Sequence, residues 1–362
     1  MNFKDAIKQT TENNSLLNKE LIKPIDNQND EIIEDFLESS LDDYEVFEQN
    51  SWNKGDGYQA TKFKRFTDYL EGLDEGLYLF AGESNAGKSA IMMNIMYDLC
   101  LTKSNKLFGI YYSLDDTKFE IIPRIISMSQ SIPIGVCAKP KRYQNLIDQG
   151  VENSILYAEY LEKRQIGLDD LKANKNNFKI EDSSKIKSAE DMFNHMKQLQ
   201  HYVKSIDPEM NIIVAIDAVD DIRFATKHFG STTDRHAEIA RTIKQWAVDL
   251  HIPIFGSRHL TKLKQNRRPV LDDLKDSNEY VYEASAVFLV HNDVSKNKQA
   301  ANIFYQVEGL PTKYPVLELD WAKNKKSSFK GRDYYYFIPE YSLATECNEN
   351  DVKRFDTIIY SN

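Results

Sequence analysis

Short apolar runs alternate along this chain with longer stretches whose apolar residues recur every three or four positions. The runs at 77–81 (LYLFA), 107–112, 211–217 and 252–257 have the length and composition of strands covered on both faces. Residues 90–99, 192–203 and 234–250 carry helical spacing, and in the last Ile239, Ile243, Trp246, Ala247 and Leu250 share one face. Thr117 and Glu120 stand at capping-box spacing, so another helix starts there, with Pro123 early enough to be tolerated. Further strands are expected at 286–290, 301–307, 316–321 and 334–338, while the charged, weakly periodic 139–180 reads as a helical excursion. Repeated strand–helix units of this kind predict a mostly parallel, doubly wound α/β sheet.

Ahead of that body, residues 1–28 are polar, and 30–48 predicts an amphipathic helix with Ile32, Ile33, Phe36, Leu37, Leu41, Tyr44 and Phe47 on its apolar stripe. The run NKGDG at 53–57 reads as a linker. The expected organisation is therefore an acidic N-terminal extension (1–57), a body (58–345) and a C-terminal tail (346–362). Charge supports the division. Residues 1–60 hold five Lys against fourteen Asp or Glu, nearly all of the net −10 of the 362-residue chain. The body is close to neutral, so nucleic acid would have to be met by local basic loops. Apolar runs too short to span a bilayer, a polar N-terminus unlike a signal peptide, and three cysteines without metal or pairing spacing point to a reducing cytoplasm and no membrane.

The chemistry concentrates after the 77–81 run. Gly82, Glu83, Ser84, Asn85, Ala86, Gly87, Lys88 and Ser89 fit G-x-x-x-x-G-K-[ST], the P-loop. Glycines there let successive N–H groups point into one anion-sized hollow. Lys88 would meet the β- and γ-phosphates of ATP, Ser89 would ligate Mg²⁺, and the helix N-terminus adds its positive end. Strand, glycine loop and helix is the context the motif requires. Asp217, closing an apolar strand, fits the second Mg²⁺ ligand; capping of the next turn is its alternative role. Asp115 closes the strand at 107–112 and is free of the capping duty, so it suits a carboxylate that orients or deprotonates the attacking water. Asp116, next door, is the alternative for that role and otherwise reads as a solvated acid.

Five blocks then resemble, in order, the ATPase domain of DnaB-type replicative helicases, a RecA-like ring family. They are FTDYLEGL at 66–73, YSLDD at 112–116 against F-S-L-E-M, IVAID at 213–217, RPVLDDLKDS at 268–277 against R-P-x-x-x-D-L-R-E-S, and FIPEY at 337–341 against F-x-P-E-Y. The likeness runs over roughly 58–345, without the larger N-terminal helical domain or fused primase, the stripped-down form that a phage or mobile element would carry into a host cytoplasm.

The resemblance implies a homo-oligomeric, usually hexameric ring that moves on single-stranded DNA, with ATP hydrolysed between subunits and a primase or loader as partner. It assigns the phosphate-sensing position to His259, where the family has Gln, and the trans-acting finger to Lys325 in AKNK, where the family has Arg; Lys323 and Arg332 are the other nucleotide-side candidates. It assigns DNA contact to Arg223 and Lys227 in one loop and to Lys262, Lys264, Arg267 and Arg268 in another. It implies docking of the 30–48 helix on a neighbouring subunit. Asp115, His259 and the missing finger Arg leave two other readings open, a nucleotide-gated clamp or loader that does not unwind, and a protein that works through its acidic tail.

Overall fold

The computed structural model describes residues 42–49, 51–52, 55–175, 177–260, 263, 267–307 and 311–361. The chain divides into two units, Met1–Gly55 and Asp56–Asn362. In the first, residues 42–49 and 51–52 are helical, with Tyr44, Phe47 and Trp52 exposed. The rest of the helix expected over 30–48 lies outside the described residues.

The second unit is built on β1 (Gly76–Gly82), α1 (Lys88–Leu101), β2 (Leu107–Ser113), α2 (Lys118–Gln130), α3 (Pro140–Asp148), α4 (Ser154–Ala173), β3 (Phe178–Asp182), α5 (Ala189–Ile206), β4 (Asn211–Asp217), α6 (Thr232–Leu250) and β5 (Pro253–His259). There follow α7 (Asn278–Glu283), β6 (Ala286–His291), α8 (Asp293–Asn297), β7 (Phe304–Tyr305), β8 (Tyr314–Asn324), β9 (Arg332–Ile338), β10 (Leu343–Glu346) and α9 (Glu349–Tyr360).

The sheet runs β10-β9-β8-β6-β1-β5-β4-β2-β3, with β7 beside β8. From β6 to β3 every pairing is parallel; β8, β9 and β10 add an antiparallel flank. Every residue of β1 and β2 is buried, which is why these strands appear as unbroken apolar runs. One core cluster joins α1 to Tyr78, Phe80, Phe255 and Phe288 on one sheet face. Another joins Ile239, Ile243 and Trp246 of α6 to Leu77, Leu79, Ile212, Val214, Ile216 and Ile254 on the opposite face.

Two expectations are corrected. Residues 178–182, the first three of which close the stretch read as a helical excursion, form β3 and pair with β2; only 140–148 and 154–173 of that stretch are the helices α3 and α4. The strand expected over 301–307 shrinks to Phe304–Tyr305. The N–H groups of Asn302 and Ile303 instead reach Asp293 Oδ2 at 3.2 and 3.1 Å, so they are withdrawn from any ladder. The capping box at Thr117 forms, and Pro123 lies inside α2. Residues 346–362, set apart as a tail, include α9, whose Phe355 is fully buried beside Ile303 and Tyr334. All three cysteines are free and buried, and among the described residues no helix is long and apolar enough to cross a membrane.

Candidate active site

Parallel pairing brings the ends of four strands to one edge of the sheet. Gly82 of β1 stands in register with His259 of β5, and Ser113 of β2 with Asp217 of β4. Beyond Gly82 the chain turns through Asn85 (φ 62°) and Gly87 (φ 100°) into α1. A Cβ on Gly87 would lie 2.6 Å from Leu317 Cδ2, and one on Gly82 would lie 2.6 Å from Val290 O. The two glycines of the motif are thus required by space, and Gly87 by its left-handed backbone as well.

Lys88 is buried, and its Nζ donates to Glu83 O at 2.8 Å and stands 3.2 Å from His259 Nδ1. Burial lowers its pKa to about 8, against the opposing pull of Asp217 and Asp220. A phosphate beside the amine favours the charged form, so the bound-state pKa lies higher. Nucleotide affinity should therefore be full below about pH 8 and fall as pH rises above it toward the bound-state pKa. Titration of a fluorescent ATP analogue on either side of that pH reads the effect, and Lys88→Met should flatten it.

Asp217 is buried, its Oδ2 accepts from Tyr111 Oη at 2.6 Å, and its Oδ1 accepts from Ser257 Oγ. Two hydroxyls thus orient the carboxyl group toward the cavity that Ser89 also lines. Hard oxygen donors of this kind fit Mg²⁺. The cavity, about 490 Å³, is bordered by Lys88, Ser89, Asp115, Arg124, Asp217 and His259, and on a more apolar side by Phe337 and Pro339. Asp115 is exposed at its mouth. Asp116 is not simply a solvated acid: it is half-buried in the same cavity and pairs with Arg124 at 2.8 Å. Burial, then the nearby Asp115 and Asp220, raises the pKa of Asp221, so negative charge is crowded beyond β4.

Arg124, Tyr111 and Ser257 belong to no motif we read. Arg124 had a signal, being the one arginine of α2 and nine residues beyond Asp115. Tyr111 and Ser257 had none beyond a polar atom within a buried strand.

Other expected site residues lie elsewhere. Lys323 and Lys325 sit at the opposite end of the strands, where Asn324 of β8 pairs with Ala286 at the start of β6. Lys325 Nζ donates to Tyr282 O at 2.9 Å; Lys323 Nζ donates to Tyr282 O and Ala284 O at 3.1 and 2.8 Å and also to Val281 O. They cap the C-terminus of α7. Burial, then the neighbouring Lys325 ammonium, lowers Lys323 to about 8. Arg332 pairs with Asp320 at 2.8 Å and lies 3.8 Å from buried Glu318.

Of the DNA-side residues, Arg223 is exposed and Lys227 pairs with Glu238. Lys262 and Lys264 lie outside the described residues. Arg267 grips Asp273 through both terminal nitrogens, at 2.8 and 2.5 Å. Arg268 holds Glu318 at 2.6 and 2.8 Å and Asp293 at 3.2 Å. Both arginines are thus engaged by carboxylates of their own chain, Arg268 partly buried and Arg267 still largely exposed. His291, Asp293 and Glu318 offer ligand atoms within 4.8 Å of one another, but Arg268 already occupies the two carboxylates.

The model of the DnaB-like helicase C-terminal domain matches residues 59–331. A probable replicative DNA helicase of Trieres chinensis is 23% identical over 263 residues, covering 67% of this chain and 52% of that protein. Replicative DNA helicase DnaB of Geobacillus stearothermophilus is 21% identical over 329 residues, covering 90% and 63%. The chain spans about half the length of the first of these relatives. Among solved structures, one described as an ATPase domain superposes with a TM-score of 0.66 at 21% identity, covering 85% of this chain and 99% of that one. A DnaB-like replicative helicase, described with its interactions with primase, gives 0.66 at 20% identity, covering 95% and 76%. These structural likenesses establish a RecA-like fold.

Proposed function

Because this chain belongs to the DnaB-like helicase C-terminal domain family, we propose that it is the ATP-hydrolysing motor of a replicative helicase that moves on single-stranded DNA as a ring. The observation that carries this reading is the gathering of Lys88, Ser89, Asp115, Asp217, His259 and Arg124 on one cavity at the carboxyl edge of the sheet. Lys88 would neutralise the β- and γ-phosphates, and the N–H groups from Ser84 to Ser89 would cradle them. Asp217 and Ser89 would hold Mg²⁺, which when bound offsets charge on the phosphate oxygens. Asp115 would take a proton from a water as its oxygen bonds to the γ-phosphorus and the bond to the bridging oxygen of ADP breaks. His259, whose Nδ1 stands 3.2 Å from Lys88 Nζ, would respond to the γ-phosphate. Phe337 and Pro339 offer an apolar wall for the base.

In this reading the domain extends over 58–345, the 30–48 segment docks on an adjacent copy, and a lysine of the AKNK run serves that copy's nucleotide. DNA phosphates would be met by Arg223 and Lys227 and by the loop of Lys262, Lys264, Arg267 and Arg268, and primase or a loader is the expected partner. Asp115, one methylene shorter than glutamate, and the lysine at 325 favour a second reading, a nucleotide-gated clamp. Steady-state MgATP hydrolysis with and without single-stranded DNA separates the two. Stimulation that disappears in Lys88→Ala is expected of the motor. Hydrolysis indifferent to DNA, or ATP binding without turnover, would favour the clamp.

A further inference from the structure

The two halves of the candidate site lie on different strand pairs, and the ladder between those pairs stops short of it. β1 and β5 pair along their whole length, from Gly76 with Pro253 to Gly82 with His259. β2 and β4 likewise pair as far as Ser113 with Asp217. β4 and β5, however, pair only over 214–216 and 254–256. A seam therefore opens between the strands that lead to Lys88 and His259 and those that carry Asp217, at the residues that line the cavity. Past Gly256, two side-chain pairs cross this seam, one on each face of the sheet. On the α1 face Ser257 Oγ donates to Asp217 Oδ1. On the α6 face Arg258, its side chain only 6% exposed, sets Nε 3.5 Å from Asp220 Oδ1 in the turn after β4. The guanidinium carbon of Arg258 also lies 4.4 Å from the ring centre of buried Tyr280 in α7. Successive residues of a strand point to opposite faces, so one short piece of β5 serves both contacts. Among the described residues neither Nε nor Nη1 of Arg258, nor Oδ1 of Asp220, makes a hydrogen bond. What crosses the seam on this face is charge attraction, which burial leaves only weakly screened.

We propose that Arg258 and Asp220 form a brace behind the cavity that holds the ends of β4 and β5 together, so that Ser257 stays on Asp217 and the carboxyl group keeps its aim at Mg²⁺. This rests on the Mg²⁺ role given to Asp217 above. Arg258 is a positioning residue in this scheme, acting through its neighbour Ser257. Mg²⁺ demands near-ideal octahedral geometry, and the groups that orient its ligands matter nearly as much as the ligands themselves. A pair that only stabilised the fold would leave the metal dependence of a folded variant unchanged.

The test is a Mg²⁺ titration of a fluorescent ADP bound to the full chain, starting from EDTA. Arg258→Met and Asp220→Asn should each raise the half-saturating Mg²⁺ concentration by roughly tenfold, the low end of what losing an orienting partner costs. The two variants remove charges of opposite sign, so shifts in the same direction report the brace. Shifts in opposite directions would report the local field instead and overturn it. Ser257→Ala should raise the Mg²⁺ requirement comparably, and adding Arg258→Met to it should change little further, because both act on Asp217 through one hydroxyl. Arg258→Lys, which keeps the charge, should recover part of the loss. Nucleotide binding in EDTA and a thermal melt check that each variant is folded. Loss of both in Arg258→Met and in Asp220→Asn would mark a pair that serves the fold alone, and would also overturn the proposal. Asp217→Asn separates the brace from the reading beneath it. If Asp217→Asn raises the Mg²⁺ requirement while Arg258→Met and Asp220→Asn do not, the brace fails and the Mg²⁺ site stands. If Asp217→Asn leaves it unchanged, the Mg²⁺ role and the brace fall together.

Discussion

Arg268→Ala is expected to lower the unfolding free energy by about 3–5 kcal/mol, the usual cost of stranding a buried charge. Glu318 is fully buried, and Arg268 supplies it with two short hydrogen bonds; Arg332 stands farther off at 3.8 Å. With the guanidinium removed, Glu318 must stay charged without its main partner or take up a proton. Either course costs stability. Arg268→Lys should recover only part of the loss, because a point charge cannot match both carboxylate oxygens. Chemical denaturation of the two variants measures this. A variant that keeps its full stability but loses DNA affinity would instead return Arg268 to the set of DNA contacts.

Asp217→Asn should reduce MgATP turnover by about 10²–10³-fold, the range seen when one preorganised electrostatic group is removed from a reaction centre. Its fold should survive. Tyr111 Oη and Ser257 Oγ can rotate to meet an amide, which both donates and accepts, so neither hydroxyl need be left unpaired. What asparagine cannot supply is the negative charge facing the cation. Turnover measured across a range of Mg²⁺ concentrations, alongside a thermal melt, separates the roles. If Asp217 only capped the following turn, asparagine would serve as well and turnover would persist.

The parts of this fold that could be read from the chain are those whose physics is local. β1, β2 and β4 lie between two helical layers and so appear as unbroken apolar runs. The phosphate loop announces itself because eight consecutive residues perform one task. Where a partner lies far along the chain, the reading fails or stops short. β3 lies at the sheet's edge and is only partly buried, over five residues surrounded by charge, and resembles a helix face until its pairing with β2 is seen. Arg268 in a basic run looks like a DNA contact; the carboxylate that claims it stands fifty positions away. Tyr111 and Ser257 matter only because Asp217 lies between them across neighbouring strands.

The lysines at the far end of the strands have a consequence for symmetry. Lys325 N–H donates to Ser285 O, and Ser285 N–H to Leu77 O, so this end of the unit lies near the start of β1, whereas the phosphate loop begins at its last residue, Gly82. At about 3.3 Å per residue those points are roughly 17 Å apart along the strand. The unit has a head and a tail. A two-fold axis can pair the loop of each copy with the lysine run of the other, but only within one closed pair. Head-to-tail addition pairs them at every junction, and such heterologous contacts either close into a cycle or continue as a helical filament.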